Sequence, residues 1–440
     1  MIASRKPCRA DRRRQLRRAG LVAALAAVAA WPAAAQLLRP GLGGGLGVPL
    51  GLPGPGLSDV RTTLSGVTGA LDPQQLLDTR RERLDALLHA HPRELERGPA
   101  GEVVVRGVIL AVNPAPGALA RAQAEKFSAQ AEPTDVGLDL QVVRLQAPEG
   151  MSARAALARL RALDPQGAYD FDPIYSPSGT VDPPRGEASH SPPERQEAAR
   201  IGLIDTGVDG AHPAFVRARI EQRGFASAEA IPAAHGTATA SLIVGEDGRF
   251  EGAAPSATLV VADVYGRSPT GGAGDLLVQA LAWTAARGAR VVNMSLVGPP
   301  NLAVGAAVRA IQARGILIVA PVGNDGPAAP PAYPASYPGV VAVTGVDPQG
   351  RVLIEAGRAS HLDFAAPAAE VKAASLSGGF TSVRGTSFAA PVVAGRLALA
   401  EAAGAVDPAA AIDAVAATSR KGPGYGKGLV ALRVQTARGR

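Results

Sequence analysis

Cysteine is all but missing: the 440 residues contain one, Cys8, near the N-terminus. That excludes an intrachain disulfide and, if the N-terminal segment is removed, any thiolate chemistry. No grouping of His, Cys and Asp has zinc-site spacing, so neither a metal nor another cofactor is expected. Charge of one sign is missing from most of the chain as well. Arg5, Lys6, Arg9, Arg12, Arg13, Arg14, Arg17 and Arg18, set against Asp11, already make up the formal +7 of the whole sequence. The remainder is balanced, which argues against a nucleic-acid partner. The N-terminal apolar run GLVAALAAVAAWP, Gly20 to Pro32, is too short for a membrane span.

The N-terminus reads as an export signal over residues 1–35. An Arg-rich start precedes the apolar run, and Ala33-Ala34-Ala35 before Gln36 offers the small residues that signal peptidase requires. Arg12-Arg13-Arg14 is compatible with twin-arginine export. A secreted or periplasmic protein without a stable membrane span after signal removal is expected; the alternative is an uncleaved anchor. Residues 36–73 are a Gly/Pro-rich tether, as in LLRPGLGGGLGVPLGLPGPGL from residue 37. Within 74–99, Leu76, Leu77, Leu84, Leu87 and Leu88 recur at helical spacing between charges, so an amphipathic helix that must lie on something is expected.

Residues 100–176 read as a small α+β unit. The expected elements are a strand over 103–112, a helix over 118–130, a strand over 138–145, a helix over 152–163 capped by Ser152, and a strand over 169–175. Residues 177–199, rich in Pro, Ser, Glu and Arg, read as a solvated linker. From 200 to 435 short apolar strands such as RIGLID, TLVVADV, RVVNMSL and ILIVAPVG alternate with Ala-rich helices. That alternation predicts an α/β domain whose parallel sheet is covered on both faces. Ligands in such folds sit at the carboxyl ends of strands.

Candidate chemistry lies at those ends. Asp205 closes RIGLID, and Asn324 follows ILIVAPVG. His235-Gly236-Thr237 and Gly385-Thr386-Ser387 each open a helix. The second is unusual: RGTSFAAPVVAG is small and apolar, yet it starts with a lone serine after glycine and carries Pro391 in its first turns. Taken singly, each residue reads most simply as a cap or turn former. Taken together, they supply the hydroxyl, base, orienting acid and oxyanion donor that acyl transfer needs. Gly385-Thr386-Ser387-Phe388-Ala389 does not fit the G-x-S-x-G elbow of lipases and esterases.

IDTGVD (204–209), HGTATA (235–240) and GTSFAAP (385–391) resemble, in order, the three signature blocks of the subtilisin-like serine proteases, the subtilases. GAAPSATL, NMSL, GNDG and GPGYGKG extend the resemblance over about residues 201–433. It implies a subtilisin-like three-layer α/β domain with a mostly parallel sheet, preceded by a small α+β, ferredoxin-like, propeptide-type domain. By that resemblance Ser387 is the nucleophile, His235 the base, Asp205 its orienting carboxylate and Asn324 the oxyanion donor. Ser295, Leu296 and Val297 would pair with substrate as an edge strand, and Pro321, Val322 and Gly323 would wall its pocket. Val297 stands where the family often has glycine and would narrow that pocket. No acidic residue in these stretches suggests a basic preference. His212 resembles a structural His-Pro pair, with no catalytic role. Calcium stabilises many family members, but no ligand set is recognisable. Polypeptides are the implied substrates, and residues 100–176 the implied intramolecular partner: a propeptide whose tail blocks the cleft before the linker is cut. The alternatives are a catalytically silent subtilase-fold binding protein, a membrane-tethered scaffold, or a permanent N-terminal module.

Overall fold

The computed structural model describes residues 72–130, 138–182, 199–248, 250–376 and 378–432. The export signal and nearly all of the tether lie outside them. No helix among the described residues is long and apolar enough to cross a membrane.

Helix α1 (Pro73–Ala90) is capped by the Asp72 carboxylate, which accepts from the Gln74 N–H. A small domain follows, built from β1 (Leu95–Arg97), β2 (Val103–Val112), α2 (Pro116–Ala124), β3 (Ser128–Gln130), β4 (Val142–Gln146), α3 (Ala153–Leu163) and β5 (Ala168–Pro173). β5, β2, β4 and β3 lie side by side in that order, all antiparallel, which is ferredoxin-like; β1 adds to the first half of β2. Ile109 and Ala111 turn toward α2 and α3, where they meet Phe127, Leu145, Ala156 and Leu160. Val108 and Leu110 turn the other way, into the core shared with the larger domain. Burial on both faces is why residues 108–111 of β2 are a continuous apolar run rather than an alternating one; the exposed Arg106 interrupts the strand before them. Ser152 caps α3 as its position suggests, its hydroxyl accepting from the Ala155 N–H.

Three expected boundaries move. The helix expected over 118–130 stops at Ala124, because Lys126 takes φ +66° and buried Phe127 leads the chain into β3. The strand expected from Leu138 starts at Val142, because Asp139 turns the chain at φ +51°. Within 74–99 the chain is not all helix: Leu95 is buried and its strand pairs with Val103–Val105.

The linker reading also changes at its start. Beyond Tyr175, β6 (Ser176–Pro177) and β7 (Thr180–Val181) run across the larger domain instead of through solvent. Their polar composition is compatible with this because backbone groups make the pairing.

The larger domain begins at β8 (Arg200–Asp205) and β9 (Arg219–Gly224). α4 (Ala234–Val244), the hairpin β10 (Glu246–Asp247) and β11 (Phe250–Glu251), β12 (Thr258–Asp263) and α5 (Gly274–Ala286) follow. Then come β13 (Val291–Met294), β14 (Leu296–Val297), α6 (Leu302–Gln312), β15 (Leu317–Pro321), β16 (Val341–Val346) and β17 (Phe364–Pro367). β18 (Val371–Ala374), β19 (Phe380–Arg384), α7 (Ala390–Ala402) and α8 (Pro408–Thr418) complete it. Seven strands form one parallel sheet in the order β17-β16-β15-β13-β8-β12-β9. α5 packs with α6, and α4 with α7, to cover its two faces. β8 has β12 on one side and β13 on the other, so the strand order reverses there. The crevice beyond its carboxyl end is where a doubly wound sheet opens to a ligand. Asp205 is the last residue of β8.

Candidate active site

Asp205 is fully buried. Its two carboxylate oxygens lie 2.8 and 2.9 Å from His235 Nδ1, so the ring donates its Nδ1 proton there. The Thr206 N–H adds a bond of 2.6 Å to the same carboxylate. His235 is the second residue of α4, and that helix start is tied to the end of β8 by the Gly236 N–H, 2.8 Å from Thr206 Oγ1. With Nδ1 protonated, Nε2 accepts, and it faces Ser387 Oγ at 3.1 Å. Three groups distant in sequence thus share one line of proton transfer.

Burial pulls the His235 pKa down, but the Asp205 charge and hydrogen bond, helped by the backbone of Ser178, outweigh it and leave the pKa above its ordinary 6.5. Ser387 lies in a 3-10 turn, Thr386–Phe388, that leads into α7. The positive end of that helix faces the hydroxyl. Pro391 falls in the first turn of α7, where its missing N–H costs nothing. Gly385 before the turn takes φ +136°, and a Cβ there would come within 2.6 Å of the Gly179 Cα. Any other residue would block the passage of chain past Ser387.

Asn324 follows β15. Its Oδ1 accepts from the Thr386 N–H at 2.9 Å, which fixes the amide orientation. Its Nδ2 is buried and meets no acceptor among the described residues. A buried donor left unpaired is costly, and this one lies beside Gly385: a Cβ on Gly385 would sit 2.9 Å from it.

Ser295 does not face the cleft with its side chain. Its Oγ accepts from Asn293 Nδ2 at 2.7 Å and donates to the Ser387 carbonyl at 2.9 Å. Leu296 and Val297 form β14, which pairs antiparallel with β6, Leu296 opposite Pro177 and Val297 opposite Ser176. Pro321, Val322 and Gly323 are buried together at the end of β15. Val297 lies over Gly323: a Cβ on Gly323 would sit 3.5 Å from Val297 Cγ1. His212 stays structural, accepting from the Ala214 N–H at 3.0 Å and lying 2.7 Å from the Gly379 carbonyl.

The cleft holds a stretch of this same chain. Tyr175 N–H donates to the Gly272 carbonyl at 2.8 Å; β6 then lies on β14, and β7 pairs with β19, Thr180 opposite Arg384. Between them Ser178 and Gly179 pass Ser387, and a Cβ on Gly179 would be 2.9 Å from Ser387 Oγ.

The small domain holds this stretch through two carboxylates on β5. Asp170 accepts from the Leu302 N–H at 2.8 Å, the start of α6, and Asp172 from the Asp275 N–H at 3.1 Å, the start of α5. Each completes a helix N-terminus. Their signal in the sequence was two aspartates interrupting an otherwise apolar strand. Arg80 and Arg83 of α1 both reach Asp325, next to Asn324, at 3.2 and 2.8 Å, and Leu76 packs on Gly326. The surface on which α1 rests is thus the Asn324 loop.

Residues 196–426 match the model of the Subtilase family. The chain is 30% identical over 228 residues to subtilisin E of Bacillus subtilis (strain 168), covering 49% of this chain and 58% of that protein, less than two thirds of its length. It is 32% identical over 223 residues to subtilisin Savinase of Lederbergia lenta, covering 48% of this chain and 79% of the relative. Among solved structures it resembles fervidolysin from Fervidobacterium pennivorans, a keratinolytic enzyme related to subtilisin. That likeness has a TM-score of 0.64 at 22% identity, over 77% of this chain and 61% of the other, and bears on the fold.

Proposed function

We propose, for a chain that belongs to the subtilase family, that it is a secreted serine endopeptidase made as a zymogen that cuts itself. The supporting observation is the line from Asp205 through His235 to Ser387, with Ser387 Oγ 3.1 Å from His235 Nε2 and the chain's own peptide crossing beside it. Export is supported by the Arg-rich start, the apolar run and Ala33-Ala34-Ala35.

The bond cut first is Ser178–Gly179. Ser387 Oγ attacks the Ser178 carbonyl carbon as its proton passes to His235 Nε2, and Asp205 stabilises the imidazolium. The oxyanion takes hydrogen bonds from Asn324 Nδ2 and the Ser387 N–H. Collapse breaks the C–N bond, and His235 returns the proton to the Gly179 nitrogen. The acyl group stays on Ser387 until water, deprotonated by His235, releases it as a carboxylic acid. The same steps apply to polypeptides in trans once the small domain departs. No acidic side chain belongs to the proposed pocket wall of Pro321, Val322 and Gly323.

The test is active-site labelling with a fluorophosphonate, combined with N-terminal sequencing of the processed protein. The proposal expects label on Ser387 and a new terminus at Gly179. An unlabelled serine and an intact chain would support the catalytically silent binding protein instead.

The pH dependence of self-cutting follows from His235. Only the neutral ring accepts the serine proton, so the first-order rate falls as pH drops through a pKa raised above 6.5 by Asp205. Processing followed by gel densitometry across the acid range should therefore show its half-maximal rate above pH 6.5.

Departure of the small domain should depend on pH through Asp172. Burial and the facing Asp275 carboxylate hold the Asp172 pKa well above its ordinary value. Arg144 of β4, 3.5 Å from Asp275, and the N–H groups opening α5 oppose this. Tyr175 is a further ionisable neighbour. The group binds its proton more tightly in the assembled state, so assembly is favoured below that pKa and lost as pH rises through it. After the cut, the small domain should dissociate faster at higher pH. Asp172→Asn should flatten that dependence, as measured by the salt- and pH-dependent co-elution of the two fragments.

A further inference from the structure

Helix α1 precedes the small domain in the chain, yet it rests on the larger one. We infer, on the reading that the chain cuts itself at Ser178–Gly179, that the Asp325–Gly326 surface is a docking site for a helix presenting one leucine and two arginines along a single stripe. α1 uses it as an ionic latch that keeps the cut small domain on the enzyme.

Leu76, Arg80 and Arg83 are spaced as i, i+4 and i+7, one face of two helical turns. Arg80 Nε lies 3.2 Å from Asp325 Oδ2, and Arg83 donates to Asp325 Oδ1 at 2.8 Å, so each guanidinium takes one carboxylate oxygen. Among the described residues Asp325 has no other ion-pair partner, and its side chain is only 19% exposed. Shielding from water keeps that attraction stronger than at an open surface. Gly326 is shaped to the same contact. A Cβ there would come within 2.7 Å of Leu76 Cδ1, so a side chain would push α1 off the loop. The surface beneath is braced: the Gly326 N–H donates to the Glu355 carbonyl at 2.9 Å, and the Glu355 carboxylate pairs with Arg384 at 2.8 Å.

α1 is also fastened to the small domain. At the turn between them the Leu95 N–H donates to the His91 carbonyl at 2.9 Å. Arg106 of β2 donates to the Pro92 carbonyl at 3.0 Å, and Arg97 of β1 pairs with Asp85 of α1. The small domain therefore grips the larger one at two separate places. β5 holds the starts of α6 and α5 through Asp170 and Asp172, and α1 holds the loop beside Asn324. After the cut, either anchor that opens is still held near its surface by the other and closes again, so release is slower than one anchor alone would allow. The α1 anchor is charged and its arginines are partly exposed, so salt weakens it.

The test uses the full chain, left to cut itself, and follows fluorophosphonate labelling of Ser387 in the cut protein at one fixed pH. Label is added at concentrations where the rate no longer rises, so that opening of the cleft sets it. The double variant Arg80→Glu, Arg83→Glu should open about tenfold faster than wild type, the scale of two partly exposed ion pairs lost and made repulsive. Asp325→Arg alone should also open faster. Combining all three changes exchanges the charges instead of removing them, so opening should return to within about threefold of wild type. Raising sodium chloride from about 0.05 to about 0.5 M should speed opening of wild type several-fold and should not speed the double variant, where like charges face each other. A double variant that opens within twofold of wild type, with Ser387 labelled in both, removes the latch and leaves the protease reading standing. A triple variant that opens as fast as the double one overturns the latch as well, because the arginines would then act elsewhere than on Asp325. A chain neither cut nor labelled takes the inference down together with the reading beneath it.

Discussion

Ser387→Ala will leave the chain uncut at Ser178–Gly179 and unreactive toward fluorophosphonates, while its melting temperature changes little. The rate loss should be roughly 10⁶-fold in kcat, which is what loss of the serine costs a subtilisin, a relative of this chain. The side chain removed is small, and its Oγ bonds only to His235 Nε2 among the described residues, so folding has little reason to suffer. His235→Ala should be nearly as severe. Asp205→Asn should be milder in rate, because the nucleophile and base remain, but it removes the charge that raises the His235 pKa. Mass spectrometry of the purified full chain decides the matter. An alanine variant that still acquires the Gly179 terminus, purified away from other proteases, would remove self-processing from the account. Adding wild-type protein in trans to the alanine variant then distinguishes cutting within one chain from cutting between chains.

How much of this was legible beforehand divides along a physical line. Asp205, His235, Asn324 and Ser387 drew notice because each sits where a strand ends or a helix begins, beside small residues that let other chain approach. β2 and β8 were legible because burial on both faces requires successive apolar residues, as in VILA at 108–111 and IGLI at 201–204. Contacts made through backbone were not legible. Ser176, Pro177, Thr180 and Val181 looked like linker because strand pairing leaves no trace in side-chain polarity. The Ser295 hydroxyl bonds the Ser387 carbonyl, a contact spanning 92 residues that the edge-strand reading of residues 295–297 did not include. That Arg80 and Arg83 both meet Asp325 depends on how separate elements dock, which the spacing of leucines along the helix does not show.

Asn324 offers the second large effect and the sharper argument about mechanism. Its two amide atoms do different jobs. Oδ1 holds the Thr386 N–H at 2.9 Å and so anchors the turn that carries Ser387, whereas Nδ2 is buried with no acceptor among the described residues. Asn324→Leu removes both and confounds them. Asn324→Asp keeps an oxygen for the Thr386 N–H and removes only the donor, placing a carboxylate where the oxyanion must form. If Nδ2 serves the transition state, both variants should lose about 10²–10³ in kcat with KM nearly unchanged, the scale known for removal of one such donor from a subtilisin. The aspartate variant should lose at least as much as leucine, although the turn is better preserved. If the amide served only to anchor the turn, aspartate would instead retain most of the activity and leucine would lose it. Single-turnover cleavage of a peptide with the sequence of residues 172–181, DPIYSPSGTV, by each variant, alongside its thermal midpoint, separates these outcomes because transition-state stabilisation appears in the chemical step and anchoring appears in stability.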